Sequence, residues 1–196
     1  MDTKTKIILV RHGETDWNLE GKMQGRTDIP LNETGRNQAR LLQKKLVDID
    51  FTIAYSSTLH RAIETAQLAI QGRNIELKYS DKLVERDLGI LEGTSWDAYA
   101  KELPYHLAHN TFIHYKHHPS MESFADVFTR VSKEIFKIAK EQPNETVLIA
   151  SHGAVIKSFL LHLDESFPKD KTINNGAMLH CLVTNKGIDL QYFING

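Results

Sequence analysis

The sequence has almost no cysteine. Cys181 stands alone among 196 residues, which excludes an intramolecular disulfide framework. A reducing, cytoplasmic setting is the expectation that follows. Long hydrophobic runs are also missing. The first apolar run, Ile7-Ile8-Leu9-Val10, stops at Arg11, too soon for a signal-peptide core. The most apolar stretch, Ala154 to Leu163, is broken by Lys157 and His162. Neither approaches the roughly 20 residues that cross a bilayer, so no membrane partner is expected. Nor is there an excess of one charge. Lys and Arg number 24 and Asp and Glu 25, a net charge of −1. A basic excess is the footprint of a nucleic-acid binder, so no nucleic-acid partner is expected either. Repeats, linkers and low-complexity tracts are absent.

What is present suits one globular domain over 1–196. The apolar share is 41%, enough to bury one sizeable core, and the balanced charge argues against disorder. Short apolar runs alternate with helical patterns. Lys6–Val10 reads as a buried strand, short and branched. Thr34–Val47 follows as a helix with Ala39, Leu42 and Leu46 on one face. Phe51–Tyr55 reads as a strand, Leu59–Ile70 as a helix and Ile75–Tyr79 as a third strand. Glu122–Lys140 is a long amphipathic helix, broken by Pro143-Asn144. Thr146–Ala150 is a central strand and Ala154–Leu163 a helix. Leu179–Thr184 and Leu190–Phe193 are late strands flanking the turn Asn185-Lys186-Gly187. The alternation predicts an α/β three-layer sandwich: a mostly parallel sheet with helices on both faces. Cys181 falls within the strand Leu179–Thr184 and reads as core. Residues 93–120 fit no period and read as a helical or irregular insert over the active site.

In open α/β sheets, ligands bind beyond the carboxyl ends of the strands. Three such ends carry chemistry. After Val10 comes Arg11-His12-Gly13-Glu14-Thr15, and after Tyr55 comes Ser56-Ser57-Thr58-Leu59-His60-Arg61. After Ala150 comes Ser151-His152-Gly153-Ala154. If the strands are neighbours, one pocket holds two arginines and two histidines. Guanidinium forks match phosphate oxygens, and helix-start N–H groups add donors. One neutral imidazole there is placed to attack phosphorus. Positioning and charge stabilisation then carry the transfer. Taken singly, each of these turns also reads as an ordinary solvated turn.

At these residues the sequence resembles the histidine phosphatase superfamily, in its phosphoglycerate-mutase-like branch. Arg11-His12-Gly13-Glu14-Thr15 with Trp17-Asn18 is similar to the opening motif of that family. Gly25-Arg26-Thr27-Asp28-Ile29-Pro30-Leu31, with Gly35 and Gln38-Ala39, resembles the next stretch. Ser57-Thr58-Leu59-His60-Arg61-Ala62 resembles the second arginine motif. Leu83 to Gly93 resembles the acidic loop, and Ser151-His152-Gly153 the closing motif. Five ordered blocks are far more specific than one Arg-His-Gly.

The resemblance implies roles. His12 is the nucleophile that becomes phosphorylated. Arg11, Arg61 and His152 hold the phosphoryl oxygens. Glu85 protonates the leaving group and then activates water. Asn18 is a phosphate contact, and Gln24 and Gly153 meet the substrate. No metal and no cofactor are implied. Physical reasoning adds that the second ring nitrogen of His12 needs an acceptor, such as a main-chain carbonyl of the loop, to fix its tautomer. Two departures stand out. Met121 occupies a position where Gly is common, and Thr58 replaces a frequent Asp, a change read as helix capping.

The reaction class implied is hydrolysis of a small phosphomonoester through a phosphohistidine. The alternative is a phosphoglycerate mutase, for which 2,3-bisphosphoglycerate would be the cofactor. The glycolytic mutases of the family carry an adjacent arginine pair in a longer insert. Here residues 93–119 hold no arginine, and their strong bases are Lys101 and Lys116. That favours the phosphatase. A non-catalytic protein of the same fold would be expected to lose His12, Arg61 or His152, and none is lost. His106, His109, His114, His117 and His118 raise a metal site, but acidic and cysteine ligands nearby are sparse and Pro119 cuts the helix short. The substrate's alcohol and the oligomeric state are not encoded in any motif.

Overall fold

A computed structural model describes residues 3–97, 103–108 and 111–196. Tyr99, Lys101 and His109 lie outside the described residues. The chain runs β1 (Thr5–Arg11), α1 (Asp16–Leu19), α2 (Glu33–Lys45), β2 (Ile53–Ser57), α3 (His60–Ala69) and β3 (Glu76–Ser80). Two single 3-10 turns, Asp81–Leu83 and Gly89–Leu91, lead to α4 (Leu103–Ala108). Then come α5 (Phe124–Glu141), β4 (Thr146–Ser151), α6 (Gly153–Leu163), β5 (Met178–Thr184) and β6 (Gly187–Ile194).

The six strands form one sheet in the order β3-β2-β4-β1-β5-β6. The pairs β2–β3, β2–β4 and β1–β4 are parallel. β5 runs antiparallel to both β1 and β6. The late strands therefore make an antiparallel hairpin on a parallel sheet. The reason is local: a two-residue connection, Asn185-Lys186, can only reverse the chain.

The alternation of β1 separates two cores. Ile7 and Leu9 pack with Val131, Ile135, Ile156 and Phe159 of α5 and α6. Ile8 and Val10 pack with Leu42 and Leu46, and with Ala66 and Ala69 of α3. A strand buried on both faces must read as a continuous apolar run, as Ile7–Val10 does. Small Ala66 and Ala69 let α3 lie close to the sheet. At its start α5 is closed by a capping box between Ser123 and Asp126.

Both family departures have a structural reading. Met121 is 2% exposed and fills a third apolar cluster with Met23, Leu88 and Leu91. Thr58 caps nothing: the N-cap of α3 is Leu59, which makes no side-chain cap bond. Asp28 does the capping from a distant loop. Its Oδ1 accepts the His60 N–H at 2.9 Å, and its Oδ2 lies 2.5 Å from His60 Nδ1. The expectation of a capping role at Thr58 is corrected accordingly.

Candidate active site

Register brings the three strand ends together. Arg11 pairs with Ser151, and Ser56 with Ala150, so β1, β4 and β2 end side by side. His12 and His152 each follow their strand by one residue. Their rings lie edge to face with centroids 5.3 Å apart. Arg61 enters from the first turn of α3 and is fully buried.

The ring of His12 is fixed at both nitrogens. Nδ1 lies 2.6 Å from the Gly13 carbonyl, and Arg61 Nε lies 3.2 Å from Nε2. A carbonyl accepts only, so Nδ1 carries the proton and the lone pair is on Nε2. The expected main-chain acceptor is Gly13 itself. Burial holds the His12 pKa well below 6.5, and the charges of Arg61 and Arg11 push it further. The Gly13 carbonyl pulls the other way. The imidazole is therefore neutral.

His152 is also neutral, and for the same reasons: burial first, then Arg61, His12, Arg11 and Arg130. Its Nε2 is 2.7 Å from Ser57 Oγ, an oxygen that also accepts the Leu59 N–H. The Ser57 hydroxyl thus holds the His152 ring at Nε2, as donor or as acceptor according to the tautomer. The Nδ1 of that ring is buried with no partner. The Nε of Arg11 and the Oε1 of Gln24 are likewise buried and unpaired. Three orphaned polar groups around one histidine pair are costly unless a ligand completes them.

The two arginines differ in how they are held. Arg61 donates Nη1 to the Thr27 carbonyl at 2.8 Å and Nη2 to the Gly25 carbonyl at 2.7 Å. The Glu92 carboxylate holds that loop, accepting from the N–H groups of Arg26 and Thr27 at 2.8 and 2.9 Å. Arg11 donates Nη1 to the Ile173 carbonyl. Burial lowers both guanidinium pKa values, that of Arg11 to about 10, with Glu85 opposing the shift in each case. Both stay cationic at neutral pH.

Glu85 stands at the cavity wall. Its Oε1 accepts the Arg86 N–H at 2.8 Å and its Oε2 the Ala154 N–H at 3.3 Å. Its loop is pinned by α5. Arg130 makes a two-point pair with Glu122 at 2.8 and 2.9 Å, and donates to the carbonyls of Lys82 and Val84. His152 caps α6 with no side-chain bond to the helix, and in the first turn the Ala154 N–H goes to Glu85 instead. Gly153 has to be small there. A Cβ on it would lie 3.2 Å from Arg11 Nε. Gly13 allows a closer approach still, because a Cβ would sit 2.3 Å from the Gly35 carbonyl oxygen.

A cavity of about 400 Å³ opens over this group. Arg11, His12, Asn18, Gln24, Arg61, Glu85 and Gly153 all line it, while His152 is fully buried against the His12 ring. Seven of the site residues expected from sequence thus line one cavity, and the eighth, His152, packs against one of them. The insert contributes Trp96 and Phe112 to the walls. Among the described residues, no group of three His, Cys, Asp or Glu is arranged as a metal site. His106 instead stacks on Tyr115, and His118 meets Ser120 Oγ at 2.8 Å.

Sequence reasoning missed Asn175. Its Nδ2 donates to the His12 carbonyl at 3.0 Å and to Asn18 Oδ1 at 3.3 Å. It sits in the turn before β5. An antiparallel strand presents its start, not its end, at this edge of the sheet. A search of that turn would have found it. The supporting role of Ser57 was also missed, although the residue lies inside the second arginine motif.

Comparison with known proteins gives the family. A family model of the histidine phosphatase superfamily (branch 1) matches residues 7–195. An uncharacterized phosphatase, PhoE, of Bacillus subtilis is 36% identical over 84% of this chain and 80% of its own length. A metal-independent phosphoserine phosphatase of Arabidopsis thaliana is 32% identical over 87% of this chain and 73% of its own. The crystal structure of an Entamoeba histolytica phosphoserine phosphatase mutant in complex with phosphoserine superposes with a TM-score of 0.80. It is 30% identical, covering 98% of this chain and 97% of that one. With the matched model spanning nearly its whole length, the chain belongs to the histidine phosphatase superfamily, branch 1.

Proposed function

We propose that the protein hydrolyses a small phosphomonoester through a phosphohistidine on His12. The observation that carries this reading is the His12 ring: neutral, buried, its Nδ1–H on Gly13 and its Nε2 lone pair facing Arg61. Arg61 Nε turns from Nε2 to a phosphoryl oxygen, and the freed Nε2 lone pair attacks phosphorus as the bond to the leaving oxygen breaks. Arg11, Arg61, Asn18 and His152 hold the phosphoryl oxygens. Gln24 and Gly153 border the substrate. Glu85 gives its proton to the departing alcohol. It then takes a proton from water, whose oxygen attacks phosphorus as the P–N bond breaks. The charge that matters is local, two arginines in a chain of net charge −1. Neither metal nor cofactor has a part in these steps.

Phosphoserine phosphatases among the relatives support hydrolysis, and so does the absence of arginine from residues 93–119. Relatives named as 2,3-bisphosphoglycerate-dependent phosphoglycerate mutases keep phosphoryl transfer as the competing outcome. A reducing compartment suits the one buried cysteine, Cys181, and supports a cytoplasmic setting. Among the described residues no helix is long and apolar enough to cross a membrane. The test is one assay in the presence of chelator. Phosphate release from p-nitrophenyl phosphate is compared with isomerisation of 3-phosphoglycerate in the presence of 2,3-bisphosphoglycerate. Phosphate release dominates if the reading holds. Faster isomerisation, or loss of turnover in chelator, overturns it.

A further inference from the structure

Arg61 is a fully buried cation with no ion pair among the described residues. Its two Nη atoms donate to neutral acceptors, the carbonyls of Thr27 and Gly25, at 2.8 and 2.7 Å. A buried charge is costly unless an opposite charge compensates it. The compensating carboxylate stands on the far side of those acceptors. Glu92 Oε1 accepts the Arg26 N–H at 2.8 Å and the Leu88 N–H at 3.4 Å. Its Oε2 accepts the Thr27 N–H at 2.9 Å and the Thr27 hydroxyl at 2.5 Å.

The shortest link is a single peptide unit. The Gly25 carbonyl and the Arg26 N–H belong to the same planar trans unit, where they point in opposite directions. That unit therefore donates to Glu92 at one end and accepts from Arg61 at the other. Each bond polarises the peptide in the sense that strengthens the other. Gly25 leaves the space for it: its φ is +54°, and a Cβ there would lie 2.1 Å from Glu92 Oε1. Glu92 also stands in the loop that carries Glu85. Arg26 returns to the same loop, with Nη1 3.2 Å from Asp87 Oδ2.

We infer that Glu92 is a positioning residue for phosphoryl transfer: through the Gly25–Arg26 peptide it aims the Arg61 guanidinium at His12, and it ties that guanidinium to the loop of the proton donor Glu85. Glu92 does not line the cavity, so it acts through Arg61 and not on the substrate. With both Nη atoms fixed on carbonyls, Arg61 keeps its Nε, 3.2 Å from His12 Nε2, for the phosphoryl group. Burial lowers the Arg61 pKa, and the charges of Glu85, Asp28 and Glu92 oppose that shift. This role rests on the phosphohistidine reading above, but phosphate affinity reads it without turnover.

Glu92→Gln keeps the shape, removes the charge and turns one acceptor into a donor. Binding of inorganic phosphate, measured by calorimetry well below the melting temperature of each protein, should weaken about tenfold. kcat/KM for p-nitrophenyl phosphate should fall by a similar factor. In an Arg61→Ala background, Glu92→Gln should change kcat/KM by less than about twofold, because the group it acts through is gone. A Glu92 that only stabilises its loop would lower the melting temperature, leave the phosphate affinity of the folded protein as it was, and cost the same with or without Arg61. Thr27→Val removes one donor to the carboxylate and should weaken phosphate about threefold. It decides the matter if Glu92→Gln does not fold. Unchanged affinity in Glu92→Gln, or in Thr27→Val where Glu92→Gln does not fold, overturns the inference, and so does an equal loss of kcat/KM in the Arg61→Ala background. A wild type that binds phosphate and hydrolyses p-nitrophenyl phosphate confines that failure to Glu92. A wild type that does neither removes the phosphatase reading as well.

Discussion

Lowering the pH should unfold this protein in a way that identifies its two central histidines. His12 and His152 are buried and held neutral well below 6.5. In the unfolded chain both return to about 6.5. Above that pH neither state binds a proton at these rings, and stability does not depend on them. Below it, the unfolded chain takes up two protons that the folded protein refuses. Stability is therefore fully present above about pH 6.5 and is lost as pH falls. Each group contributes a slope of about 1.4 kcal/mol per pH unit, so the pair gives about 2.7. The loss accumulates for as long as the folded rings stay neutral while the unfolded ones are protonated, against a normal domain's total stability of about 5–15 kcal/mol. Urea unfolding at half-unit steps between pH 7.5 and 5 measures it. The control is the double variant His12→Asn/His152→Asn, compared by slope and not by level. The buried His180, also shifted down by burial, is common to both proteins and cancels. Equal slopes would show that the rings titrate normally, and the neutral-nucleophile argument would fail.

Three further perturbations follow. Glu85→Gln removes the proton donor, so hydrolysis of alkyl phosphates should fall about 100-fold or more, while p-nitrophenyl phosphate, whose leaving group needs no proton, loses less than about tenfold. Equal slowing of both would take Glu85 out of the acid role. Gly13→Ala puts a Cβ 2.3 Å from the Gly35 carbonyl oxygen, where contacts under 3.0 Å essentially never occur. The loop carrying His12 must move, costing about 1–3 kcal/mol in thermal stability and about 100-fold in kcat. Ser57→Ala leaves His152 Nε2 without its partner, and kcat/KM should drop about tenfold with weaker inhibition by phosphate. Wild-type inhibition would show that Ser57 does not orient His152.

How legible was this in the sequence? The central strands were, because a strand buried on both faces must be apolar throughout, as Ile7–Val10 is. The three strand-end turns were legible because arginine and histidine, twice beside glycine, have few structural reasons to recur there. The resemblance then put Glu85 in its place, which no periodicity could do. Its position depends on Arg130 of α5, paired with Glu122 just before that helix, pinning the loop from 46 residues away. Distant partners explain the other misses. Asp28 caps α3 from outside its own sequence neighbourhood, so Thr58 was credited instead. Asn175 precedes an antiparallel strand, and the carboxyl-end rule looks only at parallel ones. In each case the local sequence names the element, while a contact from another part of the chain decides what it does.

The central claim is a covalent one, a phosphoryl group on His12. Rapid acid-free quenching of the protein with a phosphomonoester, followed by peptide mass spectrometry, measures it. The account predicts an acid-labile gain of one phosphoryl group on the peptide containing His12, absent in His12→Ala together with turnover. Turnover by His12→Ala, or a phosphoryl group found on His152 instead, would contradict it.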